Sequence, residues 1–115
     1  MIARYALILV ILALPFTAAA DLEKGKAIFM ERCITCHGTE GKGDGPIAAG
    51  LPADMKPRDL QTGTMKVAVD DAKFKELILK GGTAFGLNAL MPPQAGLSDA
   101  DIASLIEFVH SLRKK

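Results

Sequence analysis

The pentapeptide Cys33-Ile34-Thr35-Cys36-His37 gathers both cysteines of the chain and one of its two histidines. Three common uses of such a cluster meet difficulties here. A disulfide between Cys33 and Cys36 would close a very small ring, and a short ring restricts the unfolded chain little. A thioredoxin-like dithiol sits in a βαβ pattern, and no strand pattern flanks this segment. A structural zinc ion takes four ligands, and the spare candidate outside the pentapeptide is the distant His110.

A fourth use fits without difficulty. Two thiols separated by two residues and followed at once by histidine form the attachment pattern of a c-type haem. The sulfurs become thioethers to the haem vinyl groups, and the histidine becomes a ligand of the iron. The spacing has a physical cause. One turn of helix and bend sets both sulfurs against one edge of the macrocycle and brings the imidazole beneath the iron. In this reading Cys33 and Cys36 hold one haem c covalently, and His37 is the proximal axial ligand.

Such chemistry needs an export route, and the start of the chain supplies one. Arg4 precedes an apolar run from Tyr5 to Leu14, followed by Pro15 and the small residues Ala18-Ala19-Ala20. This is the three-part pattern of a secretory signal. A membrane span needs about 20 apolar residues, whereas this stretch is shorter, broken by Pro15 and followed by charges from Asp21. The expectation is a cleaved signal peptide at residues 1–20, a domain at 21–115, a periplasmic or secreted home and no stable membrane anchor. Without residues 1–20 the chain keeps 95 of its 115 residues, which is one domain by length. Loss of Arg4 brings the 14 basic residues to 13, equal to the 13 acidic ones. A neutral chain lacks the positive surplus that nucleic acid demands. A domain this small buries little surface by itself and usually needs a staple such as a cofactor.

The elements that must position the motif read as helices. Asp21 is placed to cap a first helix over about Leu22 to Cys33, with Leu22, Gly25, Phe29 and Cys33 on one face. Ser98 and Asp101 form a capping-box-like start to a last helix, in which Ile102, Leu105, Ile106, Val109 and Leu112 recur at helical spacing. A further helix spans roughly Asp71 to Lys80, with Phe74, Leu77 and Ile78 as its apolar face and Gly81 at its end. A glycine inside a helix costs about 1 kcal/mol relative to alanine, so Gly25 is either simply tolerated or marks a close helix crossing, with the last helix as the candidate. The remainder, Gly38 to Asp59 and Gly81 to Leu97, is loop rich in Gly and Pro. Loops of that length are unusual in a compact domain unless they wrap something apolar. The fold class is all-α, with about three to four helices and long loops around one haem.

With "GKAIFMERCITCHG", "GDGPIAAGL" and "LMPPQAGLSDADIASLIEFVHSL" in view, the chain resembles a class I c-type cytochrome along nearly its whole length after residue 20. The resemblance implies that the first and last helices cross at Gly25, with Phe29, Leu105 and Phe108 beside it. The candidates for the second axial ligand are Met30, Met55, Met65, Met91, His110 and a lysine. Met30 lies too near Cys33 to reach the opposite face, and His110 suits a surface role. Prolines after Met91 fix its backbone, and the resemblance implies Met91. It also implies that the carbonyl of Pro46 accepts the other His37 N–H. Relatives often use Trp or Tyr at the haem propionates, and the chain has neither after residue 20; Arg58 is the substitute, as a bidentate donor.

Iron ligated by His and Met has no open position and a raised potential. The implied function is single-electron transfer between exported redox proteins by a monomeric carrier that makes no bonds itself. Two alternatives stand: a cytochrome subunit of a particular dehydrogenase or oxidase complex, or a haem sensor with a displaceable methionine. Gly81 to Gly96 and Cys33 to Thr39 carry no charge. Small stretches such as Gly82-Thr83-Ala84 and Asn88-Ala89 cannot all be core, and their exposed remainder would form an apolar rim where redox partners dock, with Lys42, Lys56 and Lys66 further out.

Overall fold

The computed structural model describes residues 8–12, 20–87 and 90–114. Most of the expected signal segment (1–7 and 13–19) lies outside them, as do Asn88 and Ala89 of the expected rim. Four helices follow in order: α1 (Leu22–Arg32), α2 (Ile34–His37), α3 (Asp71–Lys80) and α4 (Asp99–Leu112), with no strand among the described residues. The all-α expectation therefore holds. Short 3-10 turns at Ala48–Gly50, Ala53–Met55 and Gly82–Phe85 punctuate the loops. No helix among the described residues is long and apolar enough to cross a membrane.

Each long helix begins where a side chain can satisfy its free N–H groups. The Asp21 carboxylate accepts from the N–H groups of Glu23 and Lys24, and that of Asp70 from Lys73. At α4 the capping box is complete: Ser98 Oγ accepts from Asp101 N–H, and the Asp101 carboxylate accepts from Ser98 N–H.

Helices α1 and α4 cross at Gly25. A Cβ there would run into the carbonyl of Ser104 and stand 3.0 Å from Phe108 Cβ. The Phe29 and Phe108 rings meet beside the crossing, with centroids 5.2 Å apart and planes inclined by 54°. Asp21 N–H donates to the buried Ser104 Oγ at 3.0 Å, and Lys24 pairs with Asp101 at 3.2 Å. The crossing expected at Gly25, Phe29, Leu105 and Phe108 is thus present. One facial assignment needs correction. Leu22 is exposed, and Ile28 is buried in its place. Asp21 and Lys24 on either side of Leu22 nevertheless reach Ser104 and Asp101 of α4, so the exposure is that of one side chain and not of the whole turn.

Helix α3 closes the core. Phe74 and Ile78 join Ile28, Phe29, Ile102, Leu105, Ile106, Phe108 and Val109 in one apolar cluster. His110 stays at the surface as expected. It lies 2.7 Å from Asp71 and meets the Phe74 ring edge-on, joining α4 to α3.

Candidate haem site

Helix α2 is a single turn hung on the end of α1. Cys33 N–H still donates to Phe29 O, so Cys33 is both the last link of α1 and the cap of α2. His37 N–H donates to Cys33 O at 2.9 Å, and Gly38, at φ 78°, ends the turn. Cys33, Cys36 and His37 are all partly buried.

The next loop folds back onto this turn. Gly43 N–H donates to His37 O at 2.8 Å, Gly45 N–H to Cys36 O at 3.0 Å and Ile47 N–H to Thr35 O at 3.2 Å. Three successive motif carbonyls are thereby held. The approach at Gly45 is so close that a Cβ would collide with the carbonyls of Ile34 and Thr35. Only glycine fits there.

The electrostatics separate the competing readings of the motif. Burial pushes the Cys33 thiol up to about 11, against the lowering influence of neighbouring Arg32. A reactive dithiol needs a thiol held low, and the two sulfurs are not joined. Among the described residues no group of three or more His, Cys, Asp or Glu gathers as a metal cage, and His110 is engaged with Asp71 on α3. Burial also lowers the His37 pKa, with the Arg58 backbone opposing it. That keeps the imidazole neutral, the form that binds metals.

These residues fit a covalently attached haem. Two partly buried thiols and a neutral imidazole share one helical turn, and His37 Nδ1 is buried with no hydrogen-bond partner. Buried polar atoms are ordinarily paired. The bond expected from His37 to the Pro46 carbonyl is not formed. Gly45 draws the chain onto the turn just before Pro46, whose own side chain is exposed. The backbone group that acts on the ring is that of Arg58. The Arg58 guanidinium is exposed and, among the described residues, makes no hydrogen bond or ion pair.

Met91 lies on a different loop, partly buried and fastened to the end of α3. Its carbonyl accepts from Gly82 N–H at 2.9 Å, and Gln94 N–H donates to Ile78 O at 2.9 Å. Gly81, at φ 78°, lets Pro93 approach so closely that a Cβ would stand 2.8 Å from the proline ring. Arg32, next to Cys33, donates to Ala95 O at 2.8 Å. That bond ties the Met91 loop to the start of the motif. Of the other methionines, Met65 packs on the core, while Met30 and Met55 are partly buried. Arg32, Gln61 and Arg113, which tie the loops together, gave no signal in the sequence.

A family profile described as Cytochrome c matches residues 22–113. Among similar proteins, the cbb3-type cytochrome c oxidase subunit CcoP of Azospirillum brasilense is 35% identical over 97 residues, which cover 84% of this chain and 30% of that protein. Cytochrome c-554(547) of Halothiobacillus neapolitanus is 32% identical, covering 83% of this chain and 100% of its own length. Cytochrome c-554(548) of Halomonas halodenitrificans is 35% identical, covering 69% and 82%. The chain therefore spans about 30% of the oxidase subunit, but all or most of the two small cytochromes. A chain of the Kuenenia stuttgartiensis reducing HAO-like protein complex shares the fold, with a TM-score of 0.64, 24% identity and coverage of 87% of this chain and 46% of that one.

The chain belongs to the cytochrome c family. Membership of this family implies a covalently bound haem c.

Proposed function

We propose that the chain is an exported, single-haem electron carrier whose haem is anchored by Cys33 and Cys36 and whose iron is held by His37 and Met91. The observation that supports this most is the placement of Cys33, Cys36 and His37 on one helical turn, with the thiol pKa raised and the imidazole kept neutral. When bound, the haem supplies a one-electron valence change. The protein supplies anchorage, orientation and shielding from water. Residues 43–47 lock the turn that carries His37, and Gly81, Pro93 and Arg32 hold the Met91 loop. Filling both axial positions leaves none for substrate, so the protein itself makes no bonds. Arg58, exposed and unengaged among the described residues, is the donor proposed for a propionate.

Residues 1–20 are proposed to be a cleaved signal, leaving 21–115 as a domain in the periplasm or outside the cell. The two small cytochromes matched over most of their length favour a free carrier. A second reading, a module of a terminal oxidase complex, rests on the likeness to CcoP. Copurification from the native membrane distinguishes the two.

The test of the site is direct. Denatured protein should still carry haem on a gel, and Cys33→Ala with Cys36→Ala should abolish it. A colourless folded wild-type protein, from a host able to attach c-type haem, would overturn the assignment. Carbon monoxide should bind the reduced protein poorly; ready binding would indicate a displaceable methionine and a sensor.

A further inference from the structure

The residues that follow α4 grip a turn some fifty positions earlier. Arg113 Nη1 donates to Leu60 O at 3.1 Å and to Gly63 O at 2.7 Å, while Lys114 N–H donates to Gln61 O at 2.9 Å. Three carbonyls of the Asp59–Gly63 turn are thus satisfied from one short segment. The turn is also organised from within. The Asp59 carboxylate accepts from Gln61 N–H at 2.8 Å, Thr62 N–H at 3.2 Å and the Thr62 hydroxyl at 3.0 Å.

The opposite edge of the turn faces the loop that follows His37. Leu60 N–H donates to Gly41 O at 2.6 Å, and the buried Gln61 side chain donates to Glu40 O at 2.8 Å. Two residues on, Gly43 N–H donates to His37 O. A Cβ on Gly43 would stand 2.6 Å from Pro57 O, so the strand of chain leading into the turn lies tightly against that loop. A continuous set of contacts therefore runs from Arg113 through Leu60 and Gly41 to Gly43 and His37. The bland alternative is that Arg113 merely ends α4. Its guanidinium, however, reaches no α4 carbonyl; the α4 carbonyl of His110 takes the Arg113 backbone N–H instead.

We propose that Arg113 is a positioning residue for the proximal histidine: by clamping the Asp59–Gly63 turn it holds the His37 loop and fixes the imidazole relative to the haem. This rests on the reading of His37 as an axial ligand. Groups that orient a ligating histidine and exclude solvent tune the metal they serve. Slackening the clamp lets the ring turn and water approach, which favours the oxidised, more highly charged state. The potential then falls.

The experiment uses the haem-loaded protein with Arg113→Ala, Arg113→Lys and, as a control for general destabilisation, Ser98→Ala at the far cap of α4. In Arg113→Ala the paramagnetically shifted ring protons of His37 should move and the reduction potential should drop. The Leu60 amide should exchange about five- to tenfold faster, the scale of one lost hydrogen bond. Arg113→Lys should restore part of each change, and Ser98→Ala should leave the His37 signals and the potential at their wild-type values. An Arg113→Ala protein that loses stability like Ser98→Ala, yet keeps wild-type His37 signals and potential, would overturn the proposal. If Arg113→Ala does not load haem, Arg113→Gln and Arg113→Lys decide by the same comparison. Absence of any paramagnetic shift on the wild-type His37 ring would mean that the ligand assignment itself has failed, before any Arg113 variant is read.

Discussion

Thioether ligation raises the reduction potential of haem iron, so Met91, as the proposed ligand, is the residue whose loss should be felt most at the electrode. Met91→Ala should lower the potential and remove the far-red sulfur-to-iron absorption of the oxidised protein. Met55→Ala and Met65→Ala should leave both in place, and the reverse pattern would reassign the ligand. Gly45→Ala belongs to the same scale. Its Cβ would meet the carbonyls of Ile34 and Thr35, and overpacking of this kind costs about 1–3 kcal/mol. The expected readout is a lower midpoint in guanidinium and a poorer yield of haem-loaded protein. At this scale the sequence was informative where chemistry dictates spacing, as in Cys33, Cys36 and His37. It was uninformative where a side chain acts on distant backbone. Arg113, in the stretch Arg113-Lys114-Lys115, looks like an ordinary solvated charge run, and only the folded chain brings it to Leu60 and Gly63. The Pro46 carbonyl was expected from the resemblance, yet the close approach belongs to Gly45.

Helices were legible because their signals are local: a cap, a period and a terminating glycine. Asp21 and Ser98 each cap as their positions imply, and α3 adds a cap at Asp70. Leu22 departs from its expected burial because periodicity defines a face but not which side chains at its edge are covered. Gly25→Ala should destabilise the protein by about 1–3 kcal/mol, since the new methyl meets the Ser104 backbone rather than a movable side chain. Thermal unfolding checks it, and an unchanged midpoint would mean that the helices can separate without cost. Ser98→Ala should cost about 1 kcal/mol. The same cap carries a pH dependence. The Ser98 backbone N–H, aided by the Lys24 ammonium, holds the Asp101 carboxylate below its usual range. A carboxylate depressed in the folded state stabilises above its unfolded pKa of about 4, and that contribution is lost as pH falls through the folded value. The thermal midpoint should therefore decline in that acid window. Asp101→Asn should flatten part of the decline while leaving the midpoint lower at neutral pH.

Charge is sparse where the molecule is proposed to meet its partners. Leu87, Leu90 and Ile47 are exposed apolar side chains on the loops around the candidate site, and the chain without residues 1–20 is neutral. Weak redox encounters bury little surface, and a patch without charge releases quickly. Electron transfer with a physiological partner should therefore depend only shallowly on ionic strength, and Leu87→Lys should slow it. A rate that collapses as salt is added would mean that charges govern the encounter.

The buried apolar cluster draws almost wholly on α1, α3 and α4, with Leu60 as its buried loop member and Met65, Ala68 and Leu97 packed against it from the loops. That division bears on how the protein is made. The helices pair on Phe29, Ile102 and Phe108, whereas the loops, rich in Gly and Pro, add little to that cluster, and the prosthetic group would be the staple that a domain this small needs. Cys33, Cys36 and His37 would then be offered for attachment on a turn held at the end of α1, with the loops settling as the porphyrin joins. Limited proteolysis of the Cys33→Ala, Cys36→Ala protein should accordingly cut first between residues 43 and 57 and between 86 and 97, sparing α1 and α4.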